Sequence, residues 1–220
     1  MNNKLPLFIN RKGNEPRSIM IPLAIFLTVG LILTSFVNCL GDASHDNSQA
    51  PAIDLTKPYT GNLQRAMFAG GCFWGTQYSF QQLPGVVKST VGYAGGKTPN
   101  PTYQQVCGHT TGHAETVYLE FDPKKLSYKQ LVEYFWTIHD PTTQDRQGFD
   151  IGDNYRSVIF YTNKEQKLIA EESKKQLQLT KHWPIVTQIV PATLFYPAEE
   201  YHQNYDVKHG SASCPSPVAK

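Results

Sequence analysis

The chain has 220 residues, 40% of them hydrophobic, 12% aromatic and 17% charged, which is ample material for one folded domain and excludes a disordered body. Residues 1–38 carry Lys4, Arg11, Lys12 and Arg17 against Glu15, a local charge of +3; the whole chain is at +2, so the remainder sits at −1 and lacks the basic face a nucleic-acid backbone requires. Four cysteines without a Cys-x-x-Cys pair exclude a disulfide scaffold and a zinc ribbon.

No charge lies between Arg17 and Asp42, and Ile19–Val37 is mostly Leu, Ile, Phe and Val. Basic residues ahead of an apolar run are the pattern of an export signal. The run is 19 residues long, close to the ~20 that span a bilayer. Cys39 follows Phe36-Val37-Asn38 and resembles the cleavage and acylation site of bacterial lipoproteins, with Asn38 where Gly, Ala or Ser is usual and Phe36 where Leu is usual. A lipoprotein anchored through Cys39, an uncleaved anchor and a cleaved signal all remain open. Each puts the body on the non-cytoplasmic side of a membrane, because the basic flank stays inside. Residues 1–38 are therefore expected to be a signal or membrane anchor. Residues 39–60, rich in Asn, Ser and Gln with little periodicity, are expected to be a tether with a reach of roughly 25 Å if flexible.

The body begins near Gly61. Arg65–Ala69 is short and apolar and runs into Gly70-Gly71, which predicts strand, glycine turn and helix across Arg65–Leu83. Val86–Tyr93 predicts a strand ending at Gly95-Gly96. Thr116–Phe121 alternates, with Val117, Leu119 and Phe121 on one side, which predicts a half-buried strand. Ser127 with Gln130 forms a capping box ahead of Tyr128, Leu131, Val132 and Phe135 at helical spacing. Ser157–Thr162 predicts a strand, Asn163 with Gln166 caps a helix to about Thr180, and Ile185–Val190 predicts a further strand. Regular patterning fades from Pro197. The irregular alternation, without a nucleotide-binding glycine fingerprint, predicts an α+β two-layer sandwich of mixed sheet and helices.

Cys72 follows Gly70-Gly71 at the predicted start of a helix, where unpaired N–H groups favour an anion. An ordinary cysteine, with a pKa near 8.5, is only about 3% thiolate at neutral pH, and lowering that pKa to about 7 makes half of it nucleophilic. Phe73, Trp74 and Gly75 set two large aromatic rings beside the thiol. The histidines have irregular spacing without a ligand pair, so no metal site is expected.

Gly71-Cys72-Phe73-Trp74-Gly75 resembles the signature of the type A peptide methionine sulfoxide reductases. Gly92-Tyr93-Ala94-Gly95-Gly96, Asn100-Pro101-Thr102-Tyr103, Gly112-His113-Ala114-Glu115, His139-Asp140-Pro141, Arg146-Gln147-Gly148 and Asn154-Tyr155-Arg156-Ser157 follow in that family's order. The resemblance covers roughly Gln64 to Cys214. It implies a catalytic domain over 61–214 with a ferredoxin-like core, an irregular C-terminal part and a tail at 215–220. It also implies a monomeric enzyme, a peptide-methionine (S)-S-oxide reductase, that reduces methionine-S-sulfoxide, free or in proteins, without a bound cofactor. Cys72 would be the nucleophile that becomes a sulfenic acid, Glu115 the proton donor, and Tyr103 and Tyr155 the phenols that hold the oxygen. Phe73 and Trp74 would make a slot for the ε-methyl group, and Asp150 would be a substrate-site carboxylate. Cys214 would resolve the sulfenic acid as a disulfide, with a thioredoxin or thioredoxin-like protein as external reductant. Cys107 corresponds to a non-catalytic cysteine, and His113 is expected to brace Glu115 or its loop.

The proton-donor role carries its own physical condition. A solvated Glu near pKa 4.3 is only about 0.2% protonated at neutral pH, so burial must raise its pKa. Two other readings of the sequence compete. One is a catalytically silent surface lipoprotein that binds Met or aromatic side chains; the other is a cysteine hydrolase pairing Cys72 with a histidine.

Overall fold

The structure, a computed structural model, describes residues 49–210. The signal or anchor segment, Cys39, Cys214 and the tail lie outside the described residues. In chain order the elements are β1 Ile53–Asp54, β2 Gln64–Gly70, α1 Phe73–Gln81, β3 Val86–Ala94, α2 Tyr103–Cys107, β4 Ala114–Phe121 and α3 Tyr128–Phe135. The short hairpin of β5 Arg146–Gln147 and β6 Asp150–Ile151 follows, then a 3-10 turn at Asp153–Tyr155, β7 Ser157–Tyr161 and α4 Lys164–Gln178. The chain continues through β8 Gln188–Pro191, β9 Leu194–Pro197, a 3-10 turn at Glu200–His202 and α5 Tyr205–His209.

Seven strands form one mixed sheet in the order β1-β9-β3-β4-β2-β7-β8, antiparallel throughout except for the parallel β7–β8 pair. The four inner strands β3-β4-β2-β7 are joined through α1 and α3, while β9 and β1 widen the sheet on one side and β8 on the other. The α+β class follows from this architecture.

Alternation along the strands divides the core. Ala66 and Phe68 of β2, with Val117 and Leu119 of β4, face α1 (Phe73, Phe80), α3 (Leu131, Val132, Phe135) and α4 (Ala170). Met67 and Ala69 of β2, with Tyr118 of β4, face the opposite side, where Leu55, Ala192 and Phe195 cover them. The expectation of a half-buried β4 is corrected on this point: Thr116 and Tyr118, on the side opposite Val117 and Leu119, are fully buried. Period-2 patterning shows which residues share a face but not whether a loop covers the polar one.

Part of the expected tether is also corrected. Ile53 and Asp54 pair with Phe195 and Leu194 of β9, Leu55 is buried, and the Tyr59 hydroxyl donates to Glu120 Oε2 at 3.0 Å. An apolar pair two residues apart is too short to register as periodicity, yet it completes a sheet edge and lids the second core layer. The strand expected over Ile185–Val190 starts three residues later, at Gln188. The Ile185 N–H is taken by Gln178 Oε1 and the Val186 N–H by the Pro141 carbonyl, so neither residue is available to the ladder. The Ser127–Gln130 capping box is present, with Tyr128, Leu131, Val132 and Phe135 all buried. Among the described residues no helix is long and apolar enough to cross a membrane.

Candidate active site

Strand β2 ends against the start of α1, and two glycines make that junction possible. A Cβ on Gly70 would stand 2.8 Å from the Phe135 ring, so only hydrogen fits between β2 and α3. Gly71 adopts φ +94°, in the left-handed region that glycine tolerates, and a Cβ there would meet Gln147 at 2.7 Å. Cys72 then takes the N-cap position of α1, half-buried, with no side-chain cap on the helix.

The first N–H groups of a helix have no partner within it. Here the Phe73 N–H donates to Glu115 Oε2 at 3.1 Å. That bond ties a carboxyl group on β4 to the peptide joining Cys72 to Phe73. Asn154 Nδ2 makes a long contact, 3.5 Å, with Glu115 Oε1 from the 3-10 turn. Glu115 is 2% exposed. Burial pushes its pKa up to about 8, with the Phe73 and Asn154 hydrogen bonds opposing the rise and the charge of Asp150 adding to it. At neutral pH roughly nine-tenths of such a group is protonated. The buried Glu115 carboxyl is thus neutral, one peptide away from the Cys72 thiol.

The remaining expected residues gather around this pair. Tyr103 opens α2, and its pKa is raised chiefly by burial, with Cys107, Glu115 and Tyr155 contributing. Tyr155 closes the 3-10 turn, and burial again raises it, with Glu115 and Asp150 acting on it. Both phenols therefore stay protonated donors within electrostatic range of Glu115. Asp150 on β6 has its pKa raised by burial. Phe73 is buried, and Trp74 is half-buried at the outer edge. The structure brings Cys72, Phe73, Trp74, Tyr103, Glu115, Asp150 and Tyr155 to one end of the sheet; Cys214 and Cys39 fall outside the described residues.

Supporting residues from the C-terminal part gave no separate signal in the sequence. The Trp74 indole stacks on Tyr205 with centroids 3.8 Å apart and planes at 9°, and its Nε1 donates to His202 Nδ1 at 3.1 Å. His202 is enclosed by the rings of Phe73, Trp74, Tyr103 and Tyr201, and burial lowers its pKa to about 4. The imidazole is therefore neutral and serves as an acceptor that fixes the indole. Glu199 accepts from the Tyr93 hydroxyl and from the Tyr103 N–H, both at 2.9 Å, and so anchors α2 to β3. Pro197 marks the end of legible periodicity, but Glu199 at the N-cap and His202 at the end of a 3-10 turn, and Tyr205 at the start of the five-residue α5, sit just beyond it.

His113 and Cys107 complete the surroundings, and the ring hydrogen bonds of His113 go to residues other than Glu115. Its Nδ1 accepts from the Gly96 N–H at 3.1 Å and its Nε2 meets the Thr98 carbonyl at 2.8 Å, so it braces the loop after β3. Cys107 is half-buried on α2, its thiol pushed up by burial, with a Tyr103 hydrogen bond opposing, the condition of an unreactive thiol. Among the described residues no three His, Cys, Asp or Glu side chains cluster in a metal-holding arrangement.

The sequence profile of the family described as peptide methionine sulfoxide reductase matches residues 64–220. The chain belongs to that family. A Methanosarcina acetivorans protein named peptide methionine sulfoxide reductase MsrA is 56% identical over 150 residues, covering 67% of this chain and 80% of its own. Among solved structures, reduced Mxr1 from Saccharomyces cerevisiae superposes with a TM-score of 0.69 at 33% identity, over 74% of this chain and 94% of its own. Methionine sulfoxide reductase A of Corynebacterium diphtheriae gives 0.65 at 35%, over 73% and 82%. Mxr1 is also known in complex with Trx2, where it matches at 0.51 and 27% identity, over 73% and 91%. The protein is accordingly a peptide-methionine (S)-S-oxide reductase.

Proposed function

We propose that the protein reduces methionine-S-sulfoxide in exported polypeptides back to methionine, with Cys72 as nucleophile and Glu115 as proton donor. The observation that carries the reading is the neutral Glu115 carboxyl hydrogen-bonded to the Phe73 N–H at 3.1 Å. In the first step the Cys72 sulfur attacks the sulfoxide sulfur while Glu115 gives a proton to the sulfoxide oxygen. Tyr103 and Tyr155 donate hydrogen bonds to that oxygen as it gains charge. Phe73 and Trp74 enclose the ε-methyl group, a contact of about 1 kcal/mol, and Asp150 orients the polar groups beside it. The intermediate collapses to methionine and a Cys72 sulfenic acid, so the oxygen and the oxidising equivalents pass to the enzyme.

The Cys214 thiol then attacks the sulfenic sulfur, forms a disulfide with Cys72 and releases water. An external thioredoxin-like dithiol takes the two oxidising equivalents, a role supported by the relation to Mxr1, which is known in complex with Trx2. Replacing Cys214 with Ser should leave one turnover per enzyme intact and stop thioredoxin-driven cycling. Unchanged steady-state turnover in Cys214→Ser would assign resolution to another thiol.

Export rests on the basic flank and the apolar run of residues 19–37, and anchoring on Cys39 as an acylated N-terminus. The mass of the native N-terminal peptide tests this. A diacylated or triacylated peptide beginning at Cys39 is expected, whereas an unmodified peptide that retains Met1 would leave the uncleaved anchor.

A further inference from the structure

The β5–β6 hairpin has two faces of different character. Cross-strand pairing sets Gln147 opposite Asp150 and Arg146 opposite Ile151, so each pair shares one side of the hairpin. The first pair faces the reaction: Gln147 is buried against Gly71, and the charge of Asp150 acts on Glu115 and Tyr155. On the turn and the outer side, Phe149 is 96% exposed and Ile151 is 69% exposed.

This loop is held in place. Gly148 turns the chain at φ +58°, Arg146 Nε donates to the Gly148 carbonyl at 2.8 Å, and the Gly152 N–H donates to the Asp145 carbonyl at 2.9 Å. Beyond it, His109 lies so close over Gly152 that a Cβ there would meet its ring at 2.1 Å, and His109 pairs with Asp153 at 3.0 Å. A tight turn is ordinarily filled by Asn, Asp, Ser or Gly, and a rigid loop presenting a phenyl ring and a sec-butyl group to water marks a contact surface.

We propose that Phe149 and Ile151 form an apolar lip that binds the residues next to methionine sulfoxide in a polypeptide substrate, favouring segments whose neighbouring side chains are apolar. The proposal rests on the sulfoxide-reducing reading of the site and adds the substrate's flanking sequence to it. Its ground is continuity: Asp150, which belongs to the reacting site, lies between the two exposed residues in the chain. The methyl slot is formed by Phe73 and Trp74 on α1, so the lip is left to meet the chain that carries the side chain.

The test uses the purified full-length protein with three substrates under saturating thioredoxin. These are a peptide with methionine-S-sulfoxide between leucines, the same peptide with glycine flanks, and free methionine-S-sulfoxide. The wild type is expected to favour the leucine-flanked peptide over the glycine-flanked one by about tenfold in kcat/KM, carried by KM. Phe149→Ser with Ile151→Ser should erase that preference and leave the other two substrates unchanged. A retained preference, or an equal loss on all three substrates, would overturn the lip. So would a raised KM for thioredoxin, read in a separate titration of the reductant, with unaltered peptide kinetics, which would make the patch the reductant's docking surface. A wild type inactive on free sulfoxide as well as on peptides would remove the underlying reading itself, an outcome the free amino acid distinguishes.

Discussion

Cys72→Ser is expected to abolish sulfoxide reduction, with single-turnover rates on a methionine-S-sulfoxide peptide falling at least roughly 10³-fold. The sulfoxide sulfur is a soft, polarisable centre, and a serine hydroxyl is neither ionised near neutral pH nor soft enough to attack it. The fold should survive the change. Cys72 is the N-cap of α1, serine is a preferred residue at that position, and the half-buried side chain loses little packing. An unaltered urea midpoint with no turnover would isolate the chemistry from the fold. Turnover retained in Cys72→Ser would defeat the assignment of the nucleophile, and acyl-enzyme formation on Cys72 with a thioester would point to a hydrolase instead.

Glu115→Gln carries the second large effect. Glutamine keeps an acceptor for the Phe73 N–H but holds no transferable proton, so single-turnover rates near neutral pH should fall by about 10²- to 10⁴-fold. The pH dependence gives a second signature. The wild-type carboxyl is active while protonated, so activity due to it is full below about 8 and is lost as pH rises through that value. The variant should lack this limb. Stability follows the same proton. The folded-state pKa of about 8 exceeds the unfolded value of 4.5, so the folded chain binds a proton that the unfolded chain releases. The stabilisation is complete below 4.5 and is lost as pH climbs toward 8, on the order of 1 kcal/mol for each pH unit crossed. Denaturant titrations at stepped pH should show wild-type stability declining across that window relative to Glu115→Gln. Buried His139 and His202, lowered from 6.5 to about 4, work in the opposite sense. They remain neutral in the fold, and their contribution is lost as pH falls from 6.5 toward 4.

Much of this site was legible as sequence because its chemistry is local. Gly70-Gly71-Cys72-Phe73 specifies a strand-to-helix turn in four residues, and the fold realises it through β2, α1 and the close approach of Gln147 to Gly71. Capping chemistry was equally readable at Ser127. The same signal was present at Thr102, whose side chain accepts from the Gln105 N–H while Gln105 caps in return, but a five-residue helix offers no periodicity to accompany it. What stayed hidden depends on distant partners. Glu199 acts on Tyr93 and Tyr103, and His202 on Trp74, across about a hundred residues of chain. Burial of Tyr118 follows from the layer it shares with Leu55 and Phe195, which no pattern within β4 records. Residues 53–55 differ from a plain tether for the related reason that Ile53 pairs with β9 and the Leu55 N–H donates to the Thr193 carbonyl, partners about 140 residues away in the chain.

The proposed proton transfer requires Glu115 to keep its proton near neutral pH. Infrared difference spectra between wild type and Glu115→Gln, recorded across pH, read that proton through the carbonyl stretch of the acid. A protonated-acid band is expected at pH 7 and should disappear with a midpoint near 8. A carboxylate band alone at pH 7, with a midpoint close to the ordinary 4.5, would contradict the proposed transfer.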